Sequence, residues 1–383
     1  MPNKIPQPDR DSTQRTRDRI ASLPLLAPPE CDARLVELGY RGQESARRAA
    51  SVLAYRHLRR IKRLFVDRIA SHELGPRDNY LFLGPTGSGK TYLVELLFRD
   101  VLQVPTITVD VTQYSETGYI GEDVNAILAH LFEAADQDLM WAASGVVCLD
   151  EFDKLASSRS NARFAGEGTT KDVSGYGVQR GLLTLLSGNE ASFPADFGFA
   201  HMGPKVSMPL WGVTFIACGA FSGLKTTADL LGSNERIGFG REGVPLRPEA
   251  IAVELDERIL EQTAAFTNYG FLPELIGRFS RLVTFAPLGR DVLRDILVTS
   301  TIEPYRREFA EEGVTLEVDD DVLGHVVDGA LRRELGARGL RAALVAHLEE
   351  AAFRCFGRPH PCTARLTLGR DGPRPRIVVT VDD

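Results

Sequence analysis

Tyr80-Leu81-Phe82-Leu83-Gly84-Pro85-Thr86-Gly87-Ser88-Gly89-Lys90-Thr91 is the stretch that decides the fold. Its first four residues form an unbroken apolar run, the pattern of a short strand buried on both faces of a parallel sheet. Residues 84–91 complete a G-x-x-x-x-G-K-[ST] pattern, and Leu93, Val94, Leu96, Leu97 and Val101 follow on one side of a helical repeat. Glycines at this spacing let backbone N–H groups converge on phosphates. Lys90 can reach the β- and γ-phosphates, and Thr91 can ligate Mg²⁺. With a strand before the loop and a helix after it, the sequence implies a nucleoside triphosphate, held through Gly84, Pro85, Thr86, Gly87, Ser88, Gly89, Lys90 and Thr91.

Outward from this loop the same alternation recurs. Short apolar runs at 106–110, 146–150, 213–218 and 282–286 are separated by helical or loop material. With 80–83 they predict an α/β fold, a five-stranded parallel sheet with helices on both faces and the phosphate loop at a strand's C-terminal end. A long helix is predicted over 43–70. From about residue 288 the pattern changes to helices at 290–311, 319–333 and 337–356, with β-like runs at 314–318, 364–368 and 376–381. This reads as a second, smaller, mainly helical domain. Residues 1–30 are polar and proline-rich and read as a mobile tail with room for one short helix. The expected division is therefore 1–30 tail, 31–287 large nucleotide-binding domain and 288–383 small domain. Segments 157–172 and 189–210 lack clear periodicity, and loops of that length usually carry function.

Composition narrows the partners. The 383 residues are 43% hydrophobic and 25% charged, with a formal net charge of −7. That balance argues against nucleic acid, and the arginines between Arg41 and Arg68 recur at helical spacing, as on a solvated helix face. The five cysteines (Cys31, Cys148, Cys218, Cys355, Cys362) make no C-x-x-C pair, so neither a zinc knuckle nor a disulfide framework is expected. Cys148 and Cys218 fall inside apolar strand patterns and read as core. No run approaches the roughly 18 apolar residues of a membrane span. The arginine-rich start is interrupted by Asp9, Asp11 and Asp18 and has no apolar signal core. A cytoplasmic, reducing location is the expectation.

Val146-Val147-Cys148-Leu149-Asp150-Glu151 is an apolar strand ending in two acids. In phosphate-loop enzymes the first holds Mg²⁺ and the second can polarise the attacking water. Arg278, just before the fifth strand, and Arg338, at the start of a helix in the second domain, would each read alone as a surface charge. A ring ATPase needs one arginine from the neighbouring subunit and another from its own lid.

At this point the motifs coincide with a known group. The chain resembles the ClpX family of AAA+ unfoldases over about residues 35–345. The resemblance rests on the phosphate loop, Thr117-Gly118-Tyr119-Ile120-Gly121-Glu122-Asp123-Val124, Leu149-Asp150-Glu151-Phe152-Asp153-Lys154, and Asp172-Val173-Ser174-Gly175. It rests equally on Cys218-Gly219-Ala220-Phe221, Ile237-Gly238-Phe239-Gly240, Pro273-Glu274-Leu275-Ile276-Gly277-Arg278 and Gly336-Ala337-Arg338-Gly339-Leu340-Arg341. It implies an ATP- and Mg²⁺-dependent homohexamer that grips a polypeptide in its axial channel, with Glu151, Arg278 and Arg338 catalytic and Thr91 and Asp150 at the metal. Taken alone, Tyr119 reads as an aromatic packed beside the helix that begins near Asp123. The resemblance implies a channel grip at Gly118, Tyr119, Ile120 and Gly121, and maps 157–172 to a second channel loop. Ile237, Gly238 and Phe239 correspond to the loop that docks a ClpP-type peptidase, although two large apolar residues in a polar run also suit a pin onto their own domain.

The sequence also departs from that family. No Cys₄ zinc module precedes the ATPase region. Segment 189–210 lacks the family's Arg-Lys-His cluster and reads Phe197-Gly198-Phe199-Ala200-His201. Tyr40-Arg41-Gly42-Gln43 replaces an apolar pair before Gly-Gln at the adenine pocket, where Tyr40 can stack on the base beside Gln43. Tyr176 and Lys171 stand where Glu and Arg are usual. The expected activity is protein unfolding and translocation into a peptidase. A non-proteolytic remodeller of one dedicated partner is the alternative, and a nucleotide-controlled scaffold with little turnover ranks third.

Overall fold

The structure, a computed structural model, describes residues 10–115, 122–156, 175–194, 205–224, 263–358, 361–369 and 375–382. Contacts group these into two compact units. The first takes residues up to Leu35, Glu44–Gly84 and Lys90–Phe285; the second takes Val36–Gln43, Pro85–Gly89 and the chain from Ala286 onward. Two short stretches, 36–43 and 85–89, thus join the second unit although they are remote from it in sequence.

In chain order the first unit contains β1 (Tyr80–Leu83), β2 (Thr106–Asp110), the two-residue pair β3 (Tyr114–Ser115) and β4 (Glu122–Asp123), and β5 (Val146–Asp150). There follow β6 (Glu190–Pro194), β7 (Lys205–Pro209), β8 (Thr214–Gly219) and β9 (Arg281–Thr284). The five apolar runs form one sheet in the order β2-β5-β8-β1-β9, parallel throughout. β1 and β8 are buried along their whole length, as continuous apolar strands must be when helices cover both faces. The register brings the strand ends to one edge: Leu83 pairs with Gly219 on one side and Thr284 on the other, and Asp110 pairs with Asp150.

The predicted helix over 43–70 is α-helical from Glu44 to Ile61 and widens into a π-helical turn at Lys62–Val66. Arg68, at φ 58, has left-handed backbone. Ala46, Ala49, Ala50, Leu53, Ala54, Leu58 and Ile61 form its buried stripe, the i, i+3, i+4 spacing of a core-facing helix. Its arginines were read as a solvated helix face; Arg48 pairs with Glu44 on the surface, whereas Arg47 is mostly covered beside Asp32 and Arg60 donates to the carbonyls of Trp211 and Gly75.

Two sequence expectations need correction here. Residues 10–22, within the stretch read as a mobile tail with room for one short helix, do form a helix, but a packed one that buries Thr16 and Ile20. The Thr16 hydroxyl donates to Asp138, Arg19 lies 4.1 Å over the Trp141 ring, and Lys62 Nζ donates to Ala21 O at 2.7 Å. These partners lie more than a hundred residues away or on another helix, so local polarity could not reveal them. Segment 189–210, read as an aperiodic loop, contains the antiparallel hairpin β6–β7. Arg77 fixes its base by donating to the carbonyls of Leu186, Gly188 and Leu210. Burial there lowers the Arg77 pKa to about 10.

The second unit runs as one long helical path from Arg290 to Glu311, then β10 (Val314–Val318), helices Asp320–Arg332 and Arg338–Cys355, β11 (Cys362–Gly369) and β12 (Arg376–Asp382). The three β-like runs form one sheet, β10 parallel and β12 antiparallel to the central β11. Leu293, Leu297, Phe309, Val326, Leu340, Leu344, Leu348, Ala364 and Leu366 lie in a single apolar core. No helix of the described residues is long and apolar enough to cross a membrane.

Candidate active site

The expected site residues fall into two groups, one in each unit. In the first unit, Gly84 ends β1 with φ 153, and a Cβ there would overlap the carbonyl oxygen of Phe285. Its N–H donates to Gly219 O at 3.2 Å, which ties the loop's start to the end of β8. Lys90 is 8% exposed and its Nζ donates to Gly84 O at 2.7 Å. The next residue, Thr91, places its hydroxyl 3.0 Å from Asp150 Oδ2 at the end of β5. The other Asp150 oxygen accepts the Glu151 N–H at 2.9 Å. A hydroxyl and a carboxylate so joined are the hard oxygen donors that suit Mg²⁺.

Glu151 has φ 54 and ψ 30, a left-handed conformation uncommon outside glycine. Such backbone is sustained only where the surroundings fix it, and here they do. Phe152 is fully buried, stacked on Phe271 at 5.3 Å and set edge-on to Phe279 at 5.5 Å. Asp153, 5% exposed, accepts the Ala220 N–H at 3.0 Å and so links the turn after β5 to the end of β8.

Arg278 is exposed and held through its backbone, whose carbonyl accepts from Asn79 Nδ2 at 3.2 Å. Asn79 is buried, and its own Oδ1 accepts the Phe215 N–H at 3.1 Å. Gln179 plays a similar part. Its amide donates to Leu155 O at 2.8 Å and Gly270 O at 3.1 Å and accepts from Leu272 N at 2.8 Å. Sequence reasoning passed over Asn79, Asp153 and Gln179. Only Gln179 carried a signal, a polar side chain beside Val178 on the face of an apolar helical pattern, which burial makes costly unless its polar atoms are paired. Asn79 follows Arg77-Asp78 and Asp153 follows Asp150-Glu151, polar surroundings that hide their burial.

The second group comprises Pro85, Thr86, Gly87, Ser88 and Gly89 together with Tyr40, Gln43 and Arg338. Gly87 and Gly336 face each other with positive φ, 76 and 54. A Cβ on Gly336 would stand 2.6 Å from Gly87 O. The Ala337 N–H donates to that carbonyl at 3.2 Å, one residue before the helix that opens with the exposed Arg338. Ser88 Oγ is buried with no partner among the described residues, a hydroxyl orphaned inside the phosphate loop. Orphaned polar atoms, positive-φ glycines and excluded Cβ atoms are what a loop built to receive phosphate oxygens shows. The expected grip residues Gly118, Tyr119, Ile120 and Gly121 and the docking residues Ile237, Gly238 and Phe239 lie outside the described residues.

A family model described as "AAA domain (Cdc48 subfamily)" matches residues 76–282, and one described as "C-terminal, D2-small domain, of ClpB protein" matches residues 288–354. A protein from Azotobacter vinelandii named "ATP-dependent Clp protease ATP-binding subunit ClpX" is 34% identical over 377 residues, 96% of this chain and 83% of that one. This chain belongs to the ClpX family of AAA+ ATPases. Similarly named ClpX proteins match at 34% over 348 residues in Porphyromonas gingivalis (89% of this chain, 80% of that one). In Treponema denticola the figure is 33% over 372 residues (95% and 86%). The ClpX match spans both units, so neither the sheet nor the helical unit alone accounts for it. As a AAA+ ATPase the chain belongs to a family that binds nucleotide.

Proposed function

We propose that this chain is an ATP-driven protein unfoldase and translocase of the ClpX type, working as a homohexamer and delivering protein substrates to a ClpP-type peptidase. The observation that carries the reading is Glu151. It sits in left-handed backbone directly after Asp150, whose two oxygens are taken by Thr91 and by the Glu151 N–H itself. A carboxylate carried on backbone held in this way is suited to orient water for repeated hydrolysis, which a nucleotide-controlled scaffold does not need. Mg²⁺ at Thr91 and Asp150 would neutralise charge on the β- and γ-phosphates. Lys90 supplies a further positive charge, Arg338 acts from the same chain and Arg278 from the neighbouring subunit. The relatives' printed name, an ATP-binding subunit of an ATP-dependent protease, supports the peptidase partner. Tyr119, flanked by Gly118 and Ile120-Gly121, grips substrate, and Ile237-Gly238-Phe239 docks the peptidase.

Glu151→Gln should keep ATP affinity and ring assembly while hydrolysis falls by about 10²-fold or more, the usual range for a positioned base. Retention of a tenth or more of wild-type turnover would remove Glu151 from that role. The second reading, a remodeller of one dedicated partner, is favoured by Phe197-Gly198-Phe199-Ala200-His201 in place of the family's basic cluster. Co-sedimentation with the peptidase of the same organism separates the two. Association of wild-type rings that Phe239→Ala abolishes supports delivery to a peptidase, and no association supports the remodeller.

A further inference from the structure

Three consecutive carbonyls of the phosphate loop accept hydrogen bonds from outside it. Gly87 O takes the Ala337 N–H at 3.2 Å, Ser88 O takes Gln43 Nε2 at 3.3 Å, and Gly89 O takes the Tyr40 hydroxyl at 3.2 Å. The orientation of the Gln43 amide is fixed chemically. The Ala286 N–H can only donate, so Oε1 must face it, at 3.0 Å, leaving Nε2 for Ala286 O at 2.6 Å and for Ser88 O. Both ends of the amide are therefore committed to main chain. Gln43 reaches this position from left-handed backbone, φ 52. Tyr40 is 3% exposed, and its Oη lies 2.9 Å from where a Cβ on Gly89 would stand, so the ring packs on the loop itself.

A trans peptide unit carries its C=O and N–H on opposite sides. A donor that holds a carbonyl outward therefore turns the next N–H inward, toward the concave side where an anion sits. We infer that Tyr40 and Gln43 are positioning residues, which set the carbonyls of Ser88 and Gly89 and thereby aim the loop's N–H groups at phosphate, and that neither reads the adenine ring. The inference rests on the nucleotide-binding reading above and replaces the base-stacking role expected for Tyr40.

The two roles separate on base selectivity. Competition binding measures ATP and GTP against wild type, Tyr40→Phe and Gln43→Ala, with the melting temperature of each unliganded protein alongside. Tyr40→Phe keeps the ring and removes one donor, so both nucleotides should bind about two- to tenfold more weakly, the net worth of one hydrogen bond. Gln43→Ala should lose at least as much, and the ATP:GTP ratio should stay constant in both variants. A ratio that shifts while the weaker-bound base catches up, or unchanged affinities in Tyr40→Phe, overturns the inference. If wild type binds neither nucleotide, the nucleotide reading itself fails, and the inference with it.

Discussion

The two units solve burial differently. Among the described residues, the buried polar or charged side chains all belong to the first unit except Ser88, which lies in the phosphate loop. His57, Asn79, Asp153 and Gln179 each satisfy a buried polar atom with named partners on other segments. The core of the second unit is apolar from Leu288 to Val379, and its ion pairs, such as Arg290–Asp328 and Arg294–Asp320, lie on the surface. Apolar packing is nondirectional and contributes stability roughly in proportion to area. Buried hydrogen bonds are directional and leave few geometries open. The unit that must hold Asp150 and Glu151 in one geometry is the one that uses them.

The largest effect expected from this contrast is in the apolar core. Leu344 is fully buried there, and Leu344→Ala should destabilise the chain by about 2–5 kcal/mol, the usual cost of lost transfer energy and a cavity. Urea unfolding reads it; a loss under about 1 kcal/mol would mean that this core is loosely packed and the contrast overstated.

An intermediate effect belongs to the first unit alone. His57 is buried between Thr214 Oγ1 at 2.9 Å and Ser144 O at 3.0 Å, and desolvation lowers its pKa to about 4. The unfolded chain takes up the proton near pH 6.5 and the folded one only near 4. The stabilising contribution is therefore complete above pH 6.5 and shrinks as pH falls through that window. The slope is at most about 1.4 kcal/mol per pH unit. His57→Gln should flatten the change in stability between pH 6.5 and 5 relative to wild type. Parallel curves would show that His57 does not carry the dependence.

The smallest effect is on the second unit's surface. Arg294 and Asp320 meet at 2.9 Å, with the arginine about half exposed, and Arg294→Ala should cost less than about 1 kcal/mol. A loss as large as that of Leu344→Ala would place a directional interaction where the contrast allows none.

The strands at 80–83 and 146–150 were legible from sequence to the residue, because a strand buried on both faces reads as a near-continuous apolar run. The strand at 106–110, where only Val109 is buried, was legible from its β-branched residues Thr106, Ile107, Thr108 and Val109. The phosphate loop and the acids at 150–151 were legible for a related reason. Their chemistry demands particular residue types at fixed spacing along one continuous segment. Helices 290–311, 319–333 and 337–356 were likewise found to within a residue or so.

What the sequence could not disclose is which distant segments meet. Nothing local to Gln43 announces Ala286 or Ser88, nothing in Asn79 points to Arg278, and nothing in the polar stretch around Thr16 points to Asp138. The sequence by itself determined most of the secondary structure, the β6–β7 pair excepted, together with the sheet class and the candidate phosphate and metal groups, since these follow from local periodicity and contiguous motifs. The tertiary structure alone decided how that inventory is held. A hydrogen bond depends on separation in space at the scale of 3 Å, and residues 43 and 286, far apart along the chain, reach that distance only through the tertiary fold.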